Sequence, residues 1–246
     1  MKVGGIIDIS TKDIPNRSSM VIFTVGCNFK CKFCHNKYLL HPNVGREYAI
    51  KELIDKIITN SLVSGVSITG GEPTLQIDLP EVCEQIQKTG KYLSIDTNGS
   101  KPHVIENILP YINRVALDLK GSLNKEKLKE ITGIDVDIGD IEKTIEILNR
   151  SIGVDFEIRT TYVGNLLSDE DLKEIIKYLS QKHFKGTFVL QQYQFLEGVG
   201  EEFRRIFSKP EHDLLVNLVK PYKNENLPFK IFLRDEIVGY RNINDI

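Results

Sequence analysis

Only four cysteines occur in 246 residues, Cys27, Cys31, Cys34 and Cys83, too few and too clustered for a disulfide framework. No stretch approaches the 18 uninterrupted apolar residues of a membrane-spanning helix, and the opening MKVGGIIDISTKDIPNR has no long apolar core of a signal peptide. The expectation is a soluble cytoplasmic protein with no membrane partner. An excess of one charge is also missing. Thirty-two Lys+Arg stand against 34 Asp+Glu for a formal net charge of -2, and this balance calls for no nucleic acid. Internal repeats, low-complexity tracts and Pro/Gly-rich linkers are absent. With 41% hydrophobic residues, a chain of this length can bury one sizeable core, which predicts a single catalytic domain over 1–246. Its core spans about 20–195, with a C-terminal extension over about 196–246.

What is present is concentrated in CNFKCKFCHN, residues 27 to 36, where Cys27, Cys31 and Cys34 follow a Cys-x3-Cys-x2-Cys spacing. Lys30 and Lys32 interrupt any apolar period, so these thiols read as a loop folded around a soft metal centre rather than as core. The metals that suit it are iron with sulfide, or zinc. A structural zinc site wants four ligands, and His35 stands too close to Cys34 in sequence to close a tetrahedron with it. CKFCH also fits the attachment pattern of c-type haem, but that chemistry needs export and leaves Cys27 unexplained. A cubane of four irons normally takes four thiolates; three leave one iron open to a small chelating molecule. Cys83, in VCEQIQK, reads as a buried helix residue.

Along the chain, strand-like and helix-like segments alternate, the pattern of a parallel sheet with crossover helices. Strands are predicted at 20–26, in GVSITGGEPTLQ (65–76) where a strand runs into the glycine pair, at 92–99 closed by Gly99, and at 113–121, 154–163 and 186–194, with a closing strand in PFKIFLRDEI. Helices are predicted at 46–61, 79–90, in VIENILPYI, near 124–131 and 140–150, at 168–181 with Ser168 as N-cap, and late in EEFRRIF and EHDLLVNLVKPY. The cysteine loop follows the first of these strands, where α/β folds place their active sites. Polar signals close the next strands: Gly70-Gly71-Glu72-Pro73, Asp96-Thr97-Asn98-Gly99 and Asp118-Leu119-Lys120. Paired glycines permit close backbone approach to a ligand, and Glu72 offers a carboxylate to an ammonium group. Turns select Asp, Asn and Gly in any case, so a single such site reads equally as a solvated loop. Arg159, in EIRTTYV, fits either a buried salt bridge or a ligand contact.

The Cys-x3-Cys-x2-Cys loop with Phe33 before its third cysteine resembles the signature of radical S-adenosylmethionine enzymes, and the His35-Asn36 that follows resembles the activating enzymes of glycyl-radical proteins. The resemblance extends to GGEPTLQ and the opening VGGIIDIS, which look most like anaerobic ribonucleoside-triphosphate reductase activating proteins. It implies an α/β fold, a partial, open (β/α)6 TIM-like barrel of mostly parallel strands. It implies a cytoplasmic, anaerobic oxidoreductase holding one 4Fe-4S cluster on Cys27, Cys31 and Cys34, with S-adenosyl-L-methionine reductively cleaved to a 5'-deoxyadenosyl radical. Gly70, Gly71 and Glu72 would hold its amino group, Lys120 its carboxylate, Phe33 the adenine and Gln194 a ribose hydroxyl. His35, Asn98 and Arg159 join the cofactor contacts. Asp96, Thr97 and Asp118, with the Ala116 carbonyl, would bind a monovalent cation, the two acids also standing among the cofactor contacts. The implied partners are a glycyl-radical enzyme as protein substrate and a reductant of flavodoxin or ferredoxin type. The alternatives are a radical enzyme acting on a small molecule or a modified RNA base, and a non-catalytic iron-sulfur or zinc protein. One departure is plain: pyruvate formate-lyase activase has a histidine where Gln194 aligns, and glutamine retains the hydrogen bond to a ribose.

Overall fold

The computed structural model describes residues 1–195 and 201–246; positions 196–200, the start of the expected C-terminal extension, lie outside the described residues. In chain order the elements are β1 (Lys2–Ser10), β2 (Ser19–Thr24), β3 (Arg46–Glu47), α1 (Ile50–Thr59), β4 (Gly65–Gly70), α2 (Leu79–Lys88), β5 (Tyr92–Thr97), α3 (Pro102–Ile108), β6 (Arg114–Asp118), α4 (Lys125–Thr132), α5 (Ile138–Arg150), β7 (Asp155–Tyr162), α6 (Asp169–Gln181), β8 (Thr187–Gln192), α7 (Glu201–Ile206), α8 (His212–Val219), β9 (Lys230–Asp235) and β10 (Gly239–Asn242). This is the α/β class expected, with mostly parallel strands. The sheet is open, since β3 and β10 each have one neighbour. Among the described residues no helix is long and apolar enough to cross a membrane.

Contacts divide the chain into two compact units. The first comprises Met1–Asn28, Asn36–Ala116 and Gly139–Asp155; the second comprises Phe29–His35, Leu117–Ile138 and Phe156–Ile246. In the first, β2 runs parallel to β4, pairing Thr24 with Gly70, and β4 runs parallel to β5. Val21, Ile22, Ile68, Leu93 and Ile95 are wholly buried, the doubly covered strands that near-continuous apolar runs produce. Two features of this unit differ from the sequence reading, and β10 in the second unit is a further strand it did not include. β1 is an additional strand, antiparallel to β2, and the helix predicted from 46 begins at Ile50 because Arg46 and Glu47 pair with Val3 and Lys2. The inward stripe of α1, Leu53 and Ile57, is unaffected, since a stripe records burial and not where the first turn starts.

In the second unit β7, β8 and β9 are parallel and β10 returns antiparallel to β9. Helix α6 starts with a capping box: the Ser168 hydroxyl accepts from the Asp171 amide and the Asp171 carboxylate accepts from the Ser168 amide. Helix α4 ends at Gly133 in the left-handed region, φ 71°, where glycine carries no Cβ penalty.

Candidate active site

In the first unit, the glycine pair after β4 packs against the entry to the cysteine loop. The Gly71 amide donates to the Thr24 carbonyl (2.9 Å), and the Glu72 amide to the Gly26 carbonyl (2.7 Å). Gly70 has φ 117°, and a Cβ there would collide with Thr24 backbone, as one on Gly71 would with Gly26 backbone. The close approach these glycines permit is therefore one of protein chain to protein chain. The Gln76 side chain adds a bond to the Val25 carbonyl (2.8 Å).

Glu72 is 1% exposed. Its Oε1 accepts from the Thr74 amide (3.1 Å), the Thr74 hydroxyl (2.6 Å) and the Thr97 hydroxyl (2.7 Å), while Oε2 accepts from the Asn98 amide (2.7 Å). Burial raises its pKa, and these donors oppose the rise. The carboxylate expected to face an ammonium group thus ties the end of β4 to the end of β5. Asn98 continues outward: its amide nitrogen donates to Asn28 Oδ1 (2.9 Å) and stands 4.0 Å from the Cys27 sulfur, while Asn28 donates to the Ser100 hydroxyl (2.8 Å). Asp96 lies 3.8 Å from the Arg114 guanidinium. The Thr97 hydroxyl also accepts from the Gly99 amide (3.1 Å). Ala116 is wholly buried on β6.

In the second unit, the cysteine loop completes a helix end. The last carbonyls of a helix lack partners within it, and here the Lys30 amide donates to Thr132 O (2.8 Å) and the Lys32 amide to Ile131 O (3.2 Å), both on α4. The Cys34 amide closes a turn on Cys31 O (3.2 Å). Cys31 is buried and Cys34 partly so. Burial pushes the Cys31 thiol up to about 11, with the Lys120 ammonium drawing it down. Phe33 is buried and meets the Tyr193 ring edge-on, centroids 6.1 Å apart. His35 stacks on the same ring at 5.4 Å and bonds through Nε2 to the Gln194 carbonyl (2.8 Å). Burial lowers the His35 pKa, and because a carbonyl oxygen only accepts, Nε2 is the donor of this bond. The Gln194 side chain, expected at a ribose, donates to Gln192 Oε1.

Asp118 ends β6 between two cations, with Arg159 Nε at 3.0 Å from Oδ1 and Lys120 Nζ at 3.2 Å from Oδ2. Burial would raise its pKa, but the charges of Arg159 and Lys120 outweigh it and hold the carboxyl near about 2. Lys120, in turn, is raised by Asp118 and by Cys31 against its own desolvation. Asp118 is thereby neutralised by protein cations, Asp96 is paired with Arg114 and the Thr97 hydroxyl is bound to Glu72.

Residues 21–179 match the family model described as the radical SAM superfamily. The chain belongs to that superfamily. A Methanocaldococcus jannaschii protein described as a "putative glycyl-radical enzyme activating enzyme" is 34% identical over 89% of this chain and 92% of its own length. A "probable GTP 3',8-cyclase" of Metallosphaera sedula is 26% identical over 85% of this chain and 74% of its own. Streptococcus suis SuiB bound to S-adenosylmethionine has the same fold, with a TM-score of 0.65 at 20% identity over 87% of this chain; the chain spans half of the SuiB length.

Membership of the radical SAM superfamily implies a 4Fe-4S cluster and S-adenosylmethionine, and the cysteines fit the cluster. Three thiols share one loop, while Cys83 is wholly buried on α2, so the loop offers a cubane three thiolates and leaves one iron for another ligand. Among the described residues no three His, Cys, Asp or Glu side chains surround a single-ion position. A cubane makes a different demand, because each thiolate binds a different iron. Sequence reasoning did not assign a role to Asn28, Thr74, Ser100 or Tyr193; the place of Asn28 and Thr74 within CNFKCKFCHN and GGEPTLQ, and of Ser100 and Tyr193 beside Gly99 and Gln194, was the only local signal.

Proposed function

We propose that this radical SAM enzyme generates a glycyl radical on a partner protein. The observation that carries the reading is Cys34-His35-Asn36 in a chain 34% identical, over nearly its whole length, to a relative described as a glycyl-radical activator. When bound, the cluster supplies one electron to the sulfonium of S-adenosylmethionine, and the radical so released takes a hydrogen atom from substrate.

This chain's own residues hold and shield that chemistry. Cys27, Cys31 and Cys34 hold the cluster. Lys120 and Arg159, both beside Asp118, supply cationic donors suited to the methionine carboxylate. Phe33 and Tyr193, buried edge to face, would exclude water beside the loop, with Phe33 the residue to pack near an adenine. Glu72 acts at one remove by fixing Thr74, Thr97 and Asn98. The partner is a protein with a glycine-bearing loop, and the electron comes from a flavodoxin or ferredoxin type reductant.

Two measurements test the reading. Cys34→Ala removes a cluster ligand, and the reconstituted protein is expected to lose its brown absorbance and all reductive cleavage; cleavage at the wild-type rate rejects the assignment. Incubation of the reduced wild type with candidate glycyl-radical enzymes is expected to produce the doublet electron paramagnetic resonance signal of a glycyl radical. A small-molecule substrate is the second reading, favoured by the 26% identity to a protein described as a GTP cyclase; product analysis with nucleotides decides for it if no partner gives the doublet.

A further inference from the structure

Every polar atom of the Asn98 side chain, and its backbone amide, is engaged within the first unit, and one of those engagements is a cysteine sulfur. The backbone amide donates to Glu72 Oε2 (2.7 Å). Oδ1 accepts from the Ser100 amide (3.0 Å), the local turn that asparagine favours with the backbone two residues on. Nδ2 donates to Asn28 Oδ1 (2.9 Å) and reaches the Cys27 sulfur at 4.0 Å. Asn98 and Ser100 are both buried.

The neighbours of this amide fix which way it faces. A backbone N–H can only donate, so Ser100 requires the Asn98 oxygen on its side and turns the two side-chain N–H groups toward Asn28 and Cys27. One N–H meets Asn28 Oδ1, and the other has the sulfur. Asn28 is held in turn, since its own Nδ2 donates to the Ser100 hydroxyl (2.8 Å). The turn that carries Asn98 is tied as well: the Thr97 hydroxyl donates to Glu72 and accepts from the Gly99 amide, and the Gly99 carbonyl accepts from the Thr144 hydroxyl (2.7 Å).

A sulfur that binds iron is a thiolate, and a hydrogen bond to a charged acceptor is stronger than one to a neutral acceptor. Hydrogen bonds to the sulfurs are among the levers that set the reduction potential of an iron-sulfur centre. The sign follows from charge. An added electron puts more negative charge on the sulfurs, so a donor beside one of them stabilises the reduced form more than the oxidised form and raises the potential.

We propose that Asn98 is a positioning residue that donates a hydrogen bond to the Cys27 thiolate and raises the potential of the cluster held there, easing entry of the single electron that a flavodoxin or ferredoxin type reductant delivers. Glu72 acts in the same line, because its bonds to the Asn98 amide and to Thr97 set where the donor stands. This role follows from the cluster that membership of the superfamily implies, and it holds whichever substrate loses its hydrogen atom.

The test is a redox titration of the reconstituted protein, followed by the electron paramagnetic resonance signal of the reduced cluster. Asn98→Leu keeps the size of the side chain and removes the donor; the potential is expected to fall by about 59 mV, which is about a tenfold shift in a one-electron equilibrium. Asn98→Asp also removes the donor but keeps an oxygen for the Ser100 amide, so the turn survives and the potential should fall at least as far. Direction separates the bond from mere loosening, because water admitted by a loosened turn solvates the more negative reduced form and raises the potential. An unchanged or raised potential in a variant that retains the cluster overturns the proposal. Wild type carrying nitrogen-15 at its asparagine side-chain amides gives a reading that needs no variant. Electron-nuclear double resonance of its reduced cluster is expected to show a coupled amide nitrogen, and absence of that coupling overturns the proposal even where neither variant assembles a cluster. The glycyl-radical signal with partner proteins is recorded separately, so its failure rejects the proposed substrate and leaves the bond to Cys27 standing.

Discussion

Glu72 in the first unit and Asp118 in the second both close a strand and both carry a carboxylate, yet their surroundings push them in opposite directions. Glu72 meets only neutral donors, two hydroxyls and two amides, and burial wins, so its pKa rises. Asp118 meets a guanidinium and an ammonium, which outweigh burial and hold it near about 2. Neutral hydrogen bonds can satisfy a buried carboxylate without repaying all of its desolvation, while two cations at 3.0 and 3.2 Å do. The first arrangement is a fastening between two strand ends. The second is a charge cluster whose cations a ligand carboxylate can share.

The contrast breaks most readily at Glu72. Glu72→Ala strands four donors, two of them hydroxyls able to re-pair, and is expected to cost about 3 kcal/mol in chemical denaturation. A loss below 1 kcal/mol would mean the fastening carries little. Asp118→Asn leaves Arg159 and Lys120 without their shared anion at a partly exposed site, for which about 2 kcal/mol is expected near neutral pH.

The pH dependence sharpens the comparison because the signs differ. Asp118 has a folded pKa near about 2 against the usual 3.8, so its contribution is present above 3.8 and lost as pH falls toward 2; the gap between wild type and Asp118→Asn should close over that window. Glu72 is raised above 4.5, so its contribution is present below that value and lost as pH climbs through the raised one. The wild type should therefore lose ground to Glu72→Gln as pH increases. Parallel slopes for the two pairs, followed by thermal melting from pH 2 to 8, would contradict the contrast. The smallest effect is expected from Thr97→Val, which removes one hydroxyl between Glu72 and the Gly99 amide, at about 1 kcal/mol.

Much of the fold was legible because its signals are local. MVIFTVG reads as a buried strand from seven consecutive residues, and Ser168 as a helix cap from the three that follow it. β1 was missed because GGIIDIS mixes glycine with isoleucine, and only its antiparallel pairing with β2 makes it a strand. At the site, the three cysteines, the glycine pair and the polar strand ends were all visible. What each polar group does there was not. The Thr97 and Asn98 donors on the Glu72 oxygens, and the Gln194 backbone carbonyl on His35, could not be read from the sequence.

The sequence alone determined which atoms are available: three thiols within one loop, a fourth on an apolar helix stripe, and polar residues placed where apolar runs stop. Those follow from chemistry and from periodicity, which need no knowledge of neighbours. Tertiary structure alone decided their partners, because the cysteine loop caps α4 through contacts about a hundred residues apart, and Asp118 becomes an anion-cation cluster only when Arg159 arrives from β7. A pKa, an oriented histidine and a satisfied helix end are properties of such distant pairs, since fields and hydrogen bonds act over ångströms of space and not along the chain.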